Sequence, residues 1–209
     1  MENELEVIAN AKKDPSAFGL LYDEYYKPVF GFMYNRTSHA EVAKDLTSET
    51  FFQALKNFHK YKPRKGVSFK SWLFAIAVAQ VGNYYRHRSK YFEVTTEEAP
   101  EILDREEYRP DIAYQLGEDA VELQNQIEIL RSLMNELTEI QKTIVTLRFF
   151  SHMSIPEISG VINTKQGTVK SHLHRALKRL QTLMNEKVNQ QNDSVKTKTT
   201  YETAVATQR

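Results

Sequence analysis

Lys165, Gln166, Lys170, Ser171, His172, His174, Arg175, Lys178 and Arg179 crowd into one short stretch, and no acidic residue occurs between Glu157 and Glu186. Cations and short polar side chains in an acid-free run can neutralise phosphates and read base edges. At helical spacing Val169, Leu173, Ala176, Leu177 and Leu180 share the inward face, which turns the polar set outward. Lys170, Ser171, His174 and Arg175 then occupy the positions that would face a DNA groove. An arginine there can donate a bidentate pair to guanine, worth ~1–3 kcal/mol of discrimination. Lys165, Gln166, Gly167 and Thr168 stand at the helix start, where backbone N–H groups and short side chains hold phosphates. Lys178 and Arg179 are either further phosphate contacts or solvated cations.

A second cluster interleaves rings and cations: Asn83, Tyr84, Tyr85, Arg86, His87 and Arg88, preceded by the basic loop Lys60–Val67 with Lys62 and Arg64. Such a composition grips an unpaired strand by stacking and charge, and it equally fits an ordinary basic helix end stabilised by the macrodipole. A third feature is the carboxylate pair Asp45 and Glu49, one helical turn apart. With no nucleophile or metal partner nearby, it reads as a solvated or protein-docking face rather than a catalytic dyad.

Enzyme chemistry finds little support. His172 and His174, two apart on a helix, point about 200° from one another, unlike the i, i+4 pair that shares a metal. No phosphate-cradling glycine loop or serine-centred nucleophile motif occurs, and the chain has no cysteine. No cofactor or metal is expected.

The elements that must position these residues are legible from caps and periodicity. Ser154 with Glu157 forms a capping box, with Pro156 in the first turn. Ile158, Val161 and Ile162 give that short helix an apolar face, Asn163 tolerates the left-handed corner, and Thr164 is placed to cap the next helix. Two helices at a sharp angle, the second cationic on its outer face, make a helix-turn-helix. Upstream, Thr138 with Gln141 opens a helix carrying Ile140, Ile144, Val145 and Leu147, and the spacing of Leu123, Ile127, Leu130 and Leu133 or Met134 predicts another over 119–134.

In the N-terminal half, residues 2–12 form a weakly amphipathic helix with Leu5, Ile8 and Ala9 inward. Asp14–Pro15 starts a helix whose stripe is Phe18, Leu21, Tyr22, Tyr25, Val29, Phe32 and Met33, with a bend at Pro28. Ser38 with Glu41 opens a helix running to about Tyr61, with Val42, Leu46, Ala54, Leu55 and Phe58 buried. Phe69, Trp72, Leu73 and Ile76 anchor the helix that ends in the ring-and-cation cluster.

The net charge of the 209 residues is only +1, but it is segregated. Glu49 to Glu93 contains cations and no acid; from Glu93 to Glu122 acids dominate. The chain reads as all-α: two small helical domains joined by an acidic linker, the C-terminal one a helix-turn-helix. The boundaries are 1–92, linker 93–118, 119–186, and a polar, aperiodic tail over 187–209 expected to be disordered. A charged N-terminal stretch and no apolar run of ~20 residues fit a cytoplasmic protein without membrane insertion.

Two strings resemble a known family. EVAKDLTSETFFQALKNF and FKSWLFAIA are similar to the second region of bacterial sigma factors, and LTEIQKTIVTLRFF followed by IPEISGVI and GTVKSHLHRALKRL to their fourth region, in the small extracytoplasmic-function group. The resemblance covers residues from about 14 to 92 and from about 120 to 184. It implies a promoter-recognition subunit that docks on core RNA polymerase through Asp45 and Glu49. It further implies capture of melted promoter DNA at the minus-ten element by Lys62, Arg64, Asn83, Tyr84, Arg86, His87 and Arg88. The minus-35 element would be read by Lys165, Gln166, Gly167, Thr168, Lys170, Ser171, His174 and Arg175. The linker would thread the polymerase channels, and an anti-sigma protein is an implied partner. The sequence departs from the family pattern at Val78, Ala79 and Asn83, where an Arg, an Asn and an Asp are usual. The competing reading is a stand-alone helix-turn-helix regulator, which would normally need a dimer with two recognition helices.

Overall fold

The computed structural model describes residues 4–63, 68–94, 126 and 129–206, with side chains described to residue 89 in the fourth helix and to residue 187 in the last. Among them every regular element is helical: α1 Glu4–Lys13, α2 Phe18–Thr37, α3 Ala40–Asn57, α4 Phe69–Val94, α5 at 129–135, α6 Glu139–Val145, α7 Ile155–Val161 and α8 Gln166–Ala206. The acidic linker expected over 93–118 lies outside the described residues, except for 93 and 94 at the end of α4. Leu123, Ile127 and Arg64 lie outside them too.

Asp14 begins the N-terminal bundle as expected, accepting the Ser16 N–H at 2.9 Å ahead of a single 3-10 turn, Pro15–Ala17, that runs into α2. α2 continues through Pro28 to Thr37 and ends on Ser38 in the left-handed region at φ 55°. Ser38 is therefore a C-cap, not the N-cap its spacing to Glu41 implied. His39 takes the N-cap role for α3, accepting from the Val42 N–H at 3.4 Å.

The buried face of α3 also differs from the one the apolar spacing implied. Ala43, Thr47, Thr50, Phe51 and Ala54 are buried, whereas Leu55 is exposed. The threonines tolerate burial because each hydroxyl donates to a carbonyl one turn back, Thr47 to Ala43 at 2.6 Å and Thr50 to Leu46 at 2.7 Å. Leu5, Tyr22, Leu130 and Leu177 are likewise exposed where the stripes had them inward.

Aromatic rings fill the N-terminal core. Phe18, Phe58, Tyr61 and Phe69 meet edge to face, with centroids 5.2 Å apart for Phe18–Phe58 and 5.6 Å for Tyr61–Phe69, a geometry worth about 0.5–1.5 kcal/mol per pair beyond burial. Lys12 pins α1 to this core by donating to the Tyr61 carbonyl at 2.6 Å.

In the C-terminal half α6 loosens into a five-residue π turn, Thr146–Phe150, closed by the Ser151 N–H donating to the Thr146 carbonyl. Both capping boxes are present, Thr138 with Gln141 and Ser154 with Glu157, and Asn163 takes the left-handed corner at φ 48°. Thr164 does not cap α8: its hydroxyl donates to the Ile162 carbonyl, inside the corner. The polar segment expected to be disordered from 187 continues α8 as far as Ala206. No Gly or Pro interrupts it, and adding one more hydrogen-bonded residue to an existing helix is far easier than nucleating one.

The halves are not separate bodies. α4 packs on α7 and α2 on the π turn, and one apolar core runs from Phe32, Phe69 and Phe74 into Ile144, Leu147, Met153, Ile158 and Val169.

Glu157 shows how charge supports this fold. Burial pushes its carboxyl up, but the Ser154 hydroxyl and backbone N–H and the nearby Lys70 cation outweigh that and hold it below its ordinary 4.5. A carboxyl lowered by folding stabilises above its unfolded value, and that contribution is lost as pH falls through the folded one. Stability should thus drop on acidification below about pH 4.5, with a shallower drop in Glu157→Gln, as read by urea melts at stepped pH. Ser154→Ala should cost about 1 kcal/mol at neutral pH in the same melts.

Candidate nucleic-acid interface

Burial of one stripe of α8 decides what the other presents. Val169 and Ala176 are fully buried, and Leu173 and Leu180 pack partly against the core. Lys165, Gln166, Gly167, Thr168, Lys170, Ser171, His174 and Arg175 are all exposed, so the expected recognition surface is assembled on one helix. Ser171 and Arg175 lie along the helix wall, donating to the carbonyls of Gly167 at 3.0 Å and Ser171 at 3.2 Å. His172 is half-buried while His174 is exposed, so the two histidines do not converge. Lys178 is exposed, but Arg179 turns away toward α5 and pairs with Glu136 at 3.7 Å. Both cations left open by the sequence stay exposed, and Arg179 is engaged by Glu136.

The ring-and-cation cluster of α4 is divided. Asn83, Arg86 and His87 lie on one side at helical spacing, with Arg86 donating to the Asn83 side chain. Tyr84 and Arg88 share the adjoining flank, the Arg88 guanidinium donating to the Tyr84 hydroxyl at 3.1 Å. Tyr85 turns inward beside Tyr84, the two rings meeting edge to face with centroids 5.2 Å apart. Its hydroxyl donates to the Arg36 carbonyl and its ring lies 5.9 Å from the Arg36 guanidinium; burial raises its pKa. It belongs to the interior, not to a strand-binding surface. Lys62 is exposed. Val78 packs on the core, and Ala79 leaves a small, exposed step beside Asn83.

On α3, Asp45 and Glu49 are exposed as expected, Glu49 accepting from Gln53 at 2.8 Å. The sequence reading missed their neighbour. Phe52, one turn on and on the same stripe, is 58% exposed. The exposed ring therefore lies beside the two carboxylates rather than in the core. The available signal was the FF pair at 51–52, two large rings about 100° apart on a helix whose other buried residues are small.

Comparison with known proteins bears on these surfaces together. Residues 21–91 match the model of Sigma-70 region 2 and residues 127–180 that of Sigma-70, region 4. The sigma factor YlaC of Bacillus subtilis is 30% identical over 156 residues, spanning 75% of this chain and 85% of that protein. The chain belongs to the sigma-70 family. Its relatives place it in the extracytoplasmic-function group. BldN of Streptomyces coelicolor is 32% identical over 86% of this chain, which spans 65% of BldN's length. SigM of Bacillus subtilis is 29% identical, with 81% of this chain and 96% of SigM covered. Two solved structures share the fold: CnrH in complex with the cytosolic domain of CnrY, at TM-score 0.63 and 18% identity over 86% of this chain and 96% of that one, and the sigma factor RpoE of Bartonella quintana in complex with the anti-sigma factor NepR, at TM-score 0.63 and 20% identity over 80% and 96%.

Sigma factors are non-enzymatic transcription initiation factors. No group of acidic or histidine side chains fit to hold a metal occurs among the described residues of this one, and none of its described helices is long and apolar enough to cross a membrane. The different surroundings of Lys178 and Arg179 separate their contributions. Lys178→Ala should lower duplex affinity for all sequences and reduce the salt slope by about 1, whereas Arg179→Ala should leave the slope unchanged, as measured by fluorescence anisotropy across a salt series.

Proposed function

We propose that this sigma factor docks on core RNA polymerase through Asp45, Glu49 and Phe52 and directs promoter-specific initiation. It reads the minus-35 element with α8 and the minus-ten element with α4. The observation that carries the reading is the segregation of three chemically distinct exposed faces on three helices. One is acidic with a bare ring, one mixes rings and cations, and one is cationic without acids. Arg175 and Lys170 flank the outer face of α8 and suit base edges and phosphates of the major groove. Lys165, Gln166, Gly167 and Thr168 enter first and fix the register on phosphates. Tyr84 and Arg88 give α4 a stacking and charge pair for a melted strand, with Asn83, Arg86 and His87 alongside and Lys62 and Arg64 shortly before α4 in the sequence. Ala79 and Asn83 replace residues usual in the family, which gives the minus-ten preference its own character.

The protein works in the cytoplasm, where its polymerase partner is. Because RpoE of Bartonella quintana is seen with an anti-sigma factor, an anti-sigma protein that competes for these faces is a further partner. No cofactor enters the mechanism.

Transcription from a randomised promoter library with core polymerase tests the whole reading: discrete starts sharing two upstream motifs are expected, and binding to duplex without core-dependent starts would leave a stand-alone regulator. Within it, Asp45→Ala should weaken core binding about tenfold, on the scale of a rim-to-hot-spot contact, without changing duplex affinity. Arg175→Ala should lose discrimination at one upstream base pair while core binding is retained.

A further inference from the structure

α1 has no part in the promoter reading proposed above, and the match to Sigma-70 region 2 begins only at residue 21. The helix is nonetheless fastened at both ends. Ile8 and Ala11 are buried along its middle. At its C-terminal end the Lys12 ammonium donates to the Tyr61 carbonyl at 2.6 Å and lies 5.8 Å from the centroid of the Tyr61 ring. At its N-terminal end Glu4 accepts from the Tyr25 hydroxyl.

Both partners belong to one aromatic cluster that brackets the basic loop. Tyr61 is 3% exposed, follows the 3-10 turn Phe58–Lys60 and leads directly into Lys62. Phe69 opens α4 on the far side of the loop, and its ring lies 5.6 Å from that of Tyr61 and 5.4 Å from that of Tyr25. Trp72, in the first turn of α4, lies 5.1 Å from Tyr61. α1 thus grips one bracket through Lys12 and the other through Glu4 and Tyr25.

We infer that α1 is a strut for the minus-ten reading surface, with Lys12 as the positioning residue that fixes the peptide from which Lys62 leaves the core. That role rests on the function proposed above. The Tyr61 carbonyl and the Lys62 N–H belong to one planar unit, so a bond to the first orients the second. Ring packing against Phe58, Phe69 and Trp72 holds the Tyr61 side chain. What it leaves free is the ψ rotation of Tyr61, 124° here, which swings the carbonyl and the Lys62 backbone together. Lys12 stops that rotation, and a charged donor makes a stronger bond than a neutral one. Groups that read a ligand must be held within about 0.5 Å, so a loosened Lys62 peptide costs discrimination before it costs affinity.

Two measurements decide this. In the nitrogen-15-labelled full-length protein, the order parameter of the Lys62 amide reads the clamped plane directly. It should stand near the rigid-backbone value of ~0.85, fall below ~0.6 in Lys12→Met, and return in Lys12→Arg, whose guanidinium reaches the same carbonyl. Tyr25→Phe, which keeps the ring and loses the bond to Glu4, should lower it by less. Lys12 is an exposed position, and cooperative melting checks that each variant is folded. Transcription with core polymerase from a library randomised at both elements then reads the consequence. Lys12→Met should flatten base preference at the minus-ten element about tenfold, the scale of one base contact, with minus-35 preference and core affinity unchanged and Lys12→Arg restoring it. A Lys62 order parameter that is low in the unmodified protein, or unmoved by Lys12→Met, overturns the strut. So does a uniform loss of yield with base preference intact, which makes Lys12 a phosphate contact, and so does lost order with unchanged preference, which leaves α1 as support for the fold alone. If even the unmodified protein gives no core-dependent starts, the proposed function fails, while the Lys62 amide still decides whether Lys12 holds it.

Discussion

The apolar core shared between the two halves is the interaction on which the rest of this structure depends. Each half is a small bundle of a few helices, and domains of that size bury too little surface to be strongly stable alone. Joining the N-terminal aromatic core to Ile144, Leu147, Met153, Ile158 and Val169 gives both a common interior. It also fixes which stripe of each helix faces inward, and a helix with one face buried has only one face left to offer. The acidic face of α3, the divided cluster of α4 and the cationic face of α8 are all consequences of that assignment.

The same joining brings polar groups together whose chain positions are remote. Arg36 and Glu139 neutralise one another at the edge of the seam, and Lys70 finds the Ser151 carbonyl. Of the first pair only Arg36 is buried while Glu139 keeps contact with water, and a buried cation left without its carboxylate is costly. The seam is thus more exacting in geometry than an apolar contact of the same area would be.

Local signals in the sequence were dependable where a short-range physical rule governs. The capping boxes at Thr138 and Ser154, the Asp14–Pro15 start and the left-handed Asn163 each involve groups within a few residues, and the fold keeps all of them. Where two local rules competed, the sequence misled. Ser38 with Glu41 satisfied the capping-box pattern, yet the left-handed turn that ends α2 needed Ser38 and passed the cap to His39. Thr47 and Thr50 are absent from the apolar stripe because their polarity is visible in sequence, while the carbonyl that each satisfies one turn back is not.

The sequence by itself determined the helical fold class, the helix-turn-helix and its exposed residues, and the placing of Asp45 and Glu49, because periodicity and capping are properties of neighbouring residues. Only the tertiary structure decided that Tyr85 turns inward while Tyr84 stays on the surface, that Arg179 is taken up by Glu136 while Lys178 is not, and that Arg36 belongs with Glu139. Each of those outcomes depends on which distant element lies alongside, and a charge or a ring carries no record in its own sequence neighbourhood of the partner that folding will bring to it.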